Sequence, residues 1–287
     1  MLLITGANGN IGSELARALD GSGAEFTALV RDPARAAALP ERARIAVGDL
    51  GDPATLAPAF DGVEGLFLLT PGIGTGFAAN ALAAAAVAGV ERVVFVSSDN
   101  VLGDPMPAMG RWHHEREEMV RATGIPFTIL RPSGFMSNAL DWTATIREGG
   151  FVLDPAGPGR YAPIDPADIA AVAALALSED GHLGREYVLT GGETLTVAEQ
   201  AGILAAALGV EIEVREVASA AEAVRSRFPA GAPPELEAAL LEGFELIRAD
   251  TVGRRSDAVE HLLGRAPGTF AAWCRRHRGA FAAPALT

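Results

Sequence analysis

Through the first half of the chain, short uninterrupted apolar runs alternate with alanine-rich stretches of helical spacing. The runs are "LLIT", "EFTALV", "ARIAV", "GLFLLT", "RVVFVSS" and "FTILRP", all rich in β-branched and aromatic residues. A strand with one wet face alternates apolar and polar side chains, whereas an uninterrupted apolar run suits a strand covered on both faces. With a helix between successive runs, the pattern dictates a parallel sheet clad in helices. That is an α/β fold of the doubly wound, Rossmann type.

After about residue 135 the rhythm changes, and proline–glycine turns lead into longer alanine-rich helices. Residues 1–135 therefore form the expected core, with returning segments near 160–190, and 136–287 form a smaller, mainly helical lobe interleaved with it. Thr196 and Glu199 stand in capping-box spacing before one of these helices, and "EIEVREV" has the composition of a small-lobe strand.

The first run passes directly into "ITGANGNIG", with Gly6, Gly9 and Gly12 spaced three apart. Glycines there permit a tight turn, close approach of backbone to a pyrophosphate and close packing of helix on sheet. A helix opening near Asn10 directs its N-terminal amides and positive dipole end at that phosphate. Position after a strand and before a helix is what gives this spacing meaning as a dinucleotide site. A carboxylate at the end of the second strand would read the ribose 2′-OH of NAD, but the sequence offers Arg31 there and Arg35 one helical turn later. Guanidinium groups suit a 2′-phosphate, so NADP(H) is favoured over NAD(H), while Asp32 beside Arg31 keeps NAD use open. Asp49 and Leu50 follow the third strand at a natural place for adenine contact, and Thr70 and Pro71 follow the fourth near the expected switch-point crevice.

Composition removes several classes. A formal charge of −13 with no compensating basic block argues against a nucleic-acid track. The run "NALAAAAVAGVERVVFVSS" contains Glu91 and Arg92 and reads as helix then strand, not as a membrane span. The single cysteine, Cys274, and an N-terminus without a basic leader region point to a cytoplasmic, reducing location. All 23 basic residues are arginines; the chain has no lysine.

These residues together resemble the NmrA-like, atypical branch of the short-chain dehydrogenase/reductase superfamily. The resemblance runs through "ITGANGNIG", "VRDPARAAAL", "GDLGDPATLAPAFDGVEGLFLLTP", "AGVERVVFVSS", "HHEREEMVRATGIPFTILRPSGFMSN", "APIDPADIAAVAALAL" and "LLGRAPGTFAAW", nearly the whole chain. Within that branch it is most similar to bacterial NAD(P)H:quinone oxidoreductase-type proteins. The resemblance implies that Gly6, Asn8, Gly9, Asn10 and Ile11 contact cofactor phosphates and that Arg31 holds the adenosine ribose phosphate. It implies that Thr70 and Pro71 flank the nicotinamide-side ribose, and that Pro132 to Phe135 border the nicotinamide ring. The superfamily's usual tyrosine and lysine, four residues apart, are missing. Counting back from "TGIPFTILRP", Met109 takes the tyrosine position and His113 the lysine position.

Three readings of His113 and His114 compete. Spacing to Glu117 and Glu118 is that of helical metal ligands, but no third ligand is evident, and no metal is expected. His113 could instead contact the ribose or donate a proton as a catalytic residue, a nearby helix N-terminus favouring its neutral form. His114 reads as surface. Met109, Trp112, Phe135, Met136 and Trp142 are the expected wall of a pocket for a flat or aromatic substrate, with ordinary core packing as the alternative for each. The function expected is NADPH-dependent reduction of a quinone-like or conjugated aromatic small molecule without the Tyr–Lys pair. The alternatives are a non-catalytic NADP-sensing regulator and a secondary-metabolism tailoring reductase or cyclase. Partners expected are a small molecule and, for assembly, a homodimer left open.

Overall fold

Each of the six apolar runs becomes a parallel strand. The computed structural model describes residues 1–70 and 72–281. In chain order the elements are β1 (Leu2–Ile4), α1 (Asn10–Ser22), β2 (Phe26–Val30), β3 (Arg44–Val47), α2 (Ala57–Phe60), β4 (Gly65–Leu68), α3 (Gly76–Ala88), β5 (Arg92–Val96), α4 (Ala108–Ala122) and β6 (Phe127–Pro132). They continue as α5 (Thr143–Gly149), β7 (Phe151–Asp154), α6 (Pro166–Ser178), β8 (Arg185–Leu189), α7 (Val197–Leu208), β9 (Glu213–Glu216), α8 (Ala220–Arg227), α9 (Pro234–Arg248), α10 (Ala258–Leu263) and α11 (Phe270–Phe281). The chain divides into two compact units.

The first unit comprises Met1–Leu102, Gly110–Pro132 and Pro166–Leu189. Its seven-stranded sheet runs β3-β2-β1-β4-β5-β6-β8, every neighbouring pair parallel. β2 and β4 are buried along their whole length, as continuous apolar runs require. β3 departs from that expectation, with Ile45 41% and Val47 56% exposed. It is an edge strand with one neighbour only, so its outer residues lack the cover an interior strand receives. α1 packs on α6, and on the sheet's other side Ala81, Leu82 and Ala85 of α3 join Leu66, Leu68, Val93 and Phe95 in one core.

The connections place β2 and β3 on one side of β1 and β4, β5 and β6 on the other, so the winding reverses between β1 and β4. At such a point the loops leaving the carboxyl ends diverge and open a crevice. Thr5 pins the two ends together. Its buried hydroxyl meets the Phe67 and Leu69 carbonyls at 3.1 and 3.0 Å and accepts the Leu69 N–H at 2.8 Å.

A second tie is ionic. Glu117 on α4 is 0% exposed. Its carboxylate accepts from Ser97 Oγ after β5 at 2.6 Å, from Arg131 Nε and Nη2 on β6 at 2.8 and 2.6 Å, and from Arg121 at 2.9 Å. Both arginines also pair with Glu186 on β8. Burial alone would push the Glu117 pKa up, but the hydrogen bonds from Arg131 and Ser97 outweigh it and hold the pKa below the usual carboxylate range.

The second unit comprises Gly103–Met109, Ser133–Asp165 and the chain from Thr190 onward. Its core gathers Met136, Leu204, Phe270, Trp273, Cys274 and Phe281, with α11 packed on α7. The Thr196–Glu199 capping box forms at the start of α7. β9 is the strand expected in "EIEVREV", and it pairs in parallel with β7. Burial pushes the Cys274 thiol up to about 12, so it is a packing group and not a nucleophile. Among the described residues no helix is long and apolar enough to cross a membrane.

Glu117→Gln should lower the unfolding free energy at neutral pH by about 3 kcal/mol, read by urea denaturation, because it removes the buried carboxylate that both partly buried arginines share and leaves them only Glu186. A carboxylate with a depressed folded pKa stabilises fully above its unfolded pKa and loses that contribution as pH falls through the folded value. The gap between the two proteins should therefore close in acid. Equal stability at neutral pH would show that the cluster contributes nothing.

Candidate functional site

The turn leaving β1 is built by its glycines. Gly6 has φ +66°, a left-handed conformation that a side chain disfavours, and its carbonyl accepts the Gly9 N–H at 2.9 Å. A Cβ on Gly12 would lie 2.2 Å from the Gly6 oxygen, so only glycine lets α1 approach the turn this closely. α1 opens at Asn10, as expected, with no side-chain cap and no acidic residue in its first turn. Gly6, Asn8, Gly9 and Asn10 are exposed, while Ile11 and Gly12 are buried. The turn thus offers exposed backbone to an anion at the positive end of a helix of 13 residues.

At the end of β2, the Asp32 carboxylate accepts the Ala34 N–H at 2.9 Å and caps the short helical turn Pro33–Ala38. That engagement takes one oxygen of the group that would otherwise read a ribose hydroxyl. Arg31 and Arg35 are exposed and form no ion pair among the described residues. After β3, the Asp49 carboxylate folds back onto the Gly51 N–H at 2.8 Å. The Leu50 side chain is buried in the core, and its carbonyl accepts from Asn80 at 2.8 Å.

Beyond β4, Thr70 is buried and its Oγ1 has no hydrogen-bond partner among the described residues. Pro71 lies outside the described residues. The loop continues through Gly72 and Gly74, with φ +76° and +82°. Their carbonyls accept from Arg116 Nη2 and Nε, at 2.6 and 2.8 Å.

His113 is half-buried on α4, one turn before Glu117, and its Nδ1 is buried without a partner among the described residues. Burial, then the neighbouring Arg116 charge, push its pKa down to about 4 against the opposing pull of Glu117. The imidazole is held in its neutral form, donating at one ring nitrogen and accepting at the other. His114 is exposed. The carboxylates at metal-ligand spacing are otherwise occupied: Glu117 in the buried cluster and Glu118 on Arg121 at 2.6 Å.

Pro132, buried at the end of β6, and Trp112, half-buried on α4, belong to the first unit. Met109, Phe135, Met136 and Trp142 belong to the second. There Phe135 bridges to Ile164, and Met136 is 2% exposed within the core, which leaves it as packing and not as an open wall. Trp142 packs against that core from outside. A Cβ on Gly134 would lie 2.9 Å from the Tyr161 ring, whose hydroxyl donates to Gln200 at 3.2 Å.

Sequence reasoning missed Arg116, Arg131 and Ser97. In "HHEREEM" the charges stand at helical neighbour spacing, which ordinarily marks a solvated face. The one signal available was "FTILRP", an apolar strand interrupted by a single arginine that must find a buried partner.

Comparison with known proteins agrees with this geometry. A family described as NAD(P)H-binding matches residues 6–180. An NAD(P)H azoreductase from Xenophilus azovorans is 37% identical over 287 residues, 99% of this chain and 100% of that protein. A (4-alkanoyl-5-oxo-2,5-dihydrofuran-3-yl)methyl phosphate reductase from Streptomyces griseus subsp. griseus is 36% identical, covering 98% and 99%. The crystal structure of an NADPH-dependent quinone oxidoreductase from Escherichia coli, complexed with NADPH, is 29% identical with a TM-score of 0.82, covering 96% and 99%. The chain belongs to the NAD(P)H-binding family. It is an NAD(P)H-dependent oxidoreductase.

By NMR titration of the imidazole signals, His113 should show a midpoint of about 4. A midpoint near the unperturbed value of about 6.5 would show a solvated group able to serve as an acid.

Proposed function

We propose that the protein is an NADPH-dependent reductase of small conjugated acceptors, quinones or azo-linked aromatics, that need no dedicated acid. The observation that carries this reading is the neutral His113 in a chain without lysine, with a methionine one turn before it. Ketone reduction builds an alkoxide that requires a proton donor at the carbonyl oxygen. Two-electron reduction of a quinone spreads the negative charge over a conjugated anion, and water can supply the proton afterwards. The names borne by full-length relatives, an azoreductase among them, support the same class.

When bound, NADPH supplies the hydride. The backbone of Gly6, Asn8, Gly9, Asn10, Ile11 and Gly12 holds the pyrophosphate at the start of α1. Arg31, with Arg35 beside it, pairs with the 2′-phosphate, which the engaged Asp32 does not contest. Asp49 and Leu50 flank the adenine through their backbone. Thr70 Oγ1 and His113 Nδ1, two buried polar atoms without partners among the described residues, hydrogen-bond the nicotinamide-side ribose, and Pro132 borders that end. Within the first unit, Trp112 on α4 supplies aromatic surface for the acceptor.

The test is NADPH oxidation against a panel of quinones and azo dyes, run for the wild type and for Arg31→Ala. Turnover of at least one class is expected, with Arg31→Ala weakening NADPH binding about tenfold or more and NADH binding little. Cofactor binding without turnover across the panel would overturn the reductase reading in favour of a cofactor sensor. Equal losses for the two cofactors would show that Arg31 does not read the phosphate.

A further inference from the structure

Arg116 is 2% exposed. A buried guanidinium is costly unless a carboxylate compensates it, and the partly buried Arg131 on β6, paired with Glu117, illustrates the usual solution. Arg116 forms no ion pair among the described residues. Its fork is spent on two neutral acceptors in the β4–α3 loop, the carbonyls of Gly72 and Gly74. Both glycines occupy the left-handed region that turns those carbonyls toward the helix.

A segment with this many glycines loses on the order of 1–2 kcal/mol per residue of backbone freedom when it is fixed. Hydrogen bonds from a charged donor are the strongest available restraint on it. The sequence places that restraint three residues after His113 on the same helix, and the loop it restrains begins just beyond Thr70. Both orphaned polar atoms are therefore carried by the elements that Arg116 joins.

We infer that Arg116 is a positioning residue for the nicotinamide half of the cofactor, clamping the β4–α3 loop to α4 so that Thr70 and His113 are held ready for the ribose. The inference rests on the assignment of Thr70 and His113 to that ribose. It also explains why a positive charge is kept in a buried place without a carboxylate. A lysine would offer one compact charge, whereas two carbonyls two residues apart need the planar fork.

The experiment compares NADPH with adenosine 2′,5′-bisphosphate, a fragment that carries the adenine and 2′-phosphate but no nicotinamide half. Dissociation constants are measured by calorimetry for the wild type, Arg116→Met and Arg116→Lys. NADPH binding should weaken by about 10- to 100-fold in Arg116→Met and by less in Arg116→Lys, while the fragment binds all three proteins alike. Unchanged NADPH affinity in the variants would overturn the inference. Parallel loss of NADPH and fragment would overturn it too, since Arg116 would then support the whole unit. Should Arg116→Met fail to fold, Arg116→Lys carries the same comparison. Failure of the wild type to bind either compound would instead sink the cofactor assignment on which the inference rests.

Discussion

The carboxylate of Glu117 is the contact on which the cofactor side of the first unit depends. It is fully buried, with three hydrogen-bonding neighbours from the end of β5, from β6 and from its own helix, and a charge that is costly to bury unless they stay in place. Ser97 ties α4 to the end of β5, Arg131 ties it to β6, and Arg121 on the same helix joins Glu186 on β8. With those set, His113 one turn earlier and Arg116 one residue earlier have no choice of direction. A helix held only by apolar contacts could slide or roll at small cost; one held by a buried carboxylate cannot.

That rigidity matters because the chemistry offered by α4 is sparse. The chain contains no lysine, and Met109 stands one turn before His113 on this helix. Burial and the Arg116 charge hold His113 neutral. Under the proposed assignment, its contribution is a hydrogen bond at the buried Nδ1. A site of this kind suits acceptors whose reduced form needs no proton at the moment of transfer, with orientation and exclusion of water as the protein's part.

The central sheet was legible because its strands are buried on both faces and so are written as continuous apolar runs. Gly6, Gly9 and Gly12 were legible because a turn with φ +66° and a 2.2 Å approach admits nothing larger. Thr196 and Glu199 announced their helix through local chemistry alone. What failed to show were features set by distant parts of the chain. β7 has four residues and one strand neighbour, β9, reached some sixty residues later, so no local signal marks it. Met136 and Leu50 carry the same residue types whether they line a pocket or fill a core, and the structure places both in cores. Arg116 and Glu117 sat in a run of charges that reads as solvent-facing until the sheet behind it is known.

The central claim is that this rigid framework, the turn 6–12 with the Arg116-held loop, receives NADPH. Hydrogen–deuterium exchange with and without NADPH tests it most directly. The account expects added protection at the amides of 6–13 and 72–76, with β7 and β9 unchanged and a weaker effect from NADH. Protection confined to other segments, or none at saturating NADPH, would contradict it.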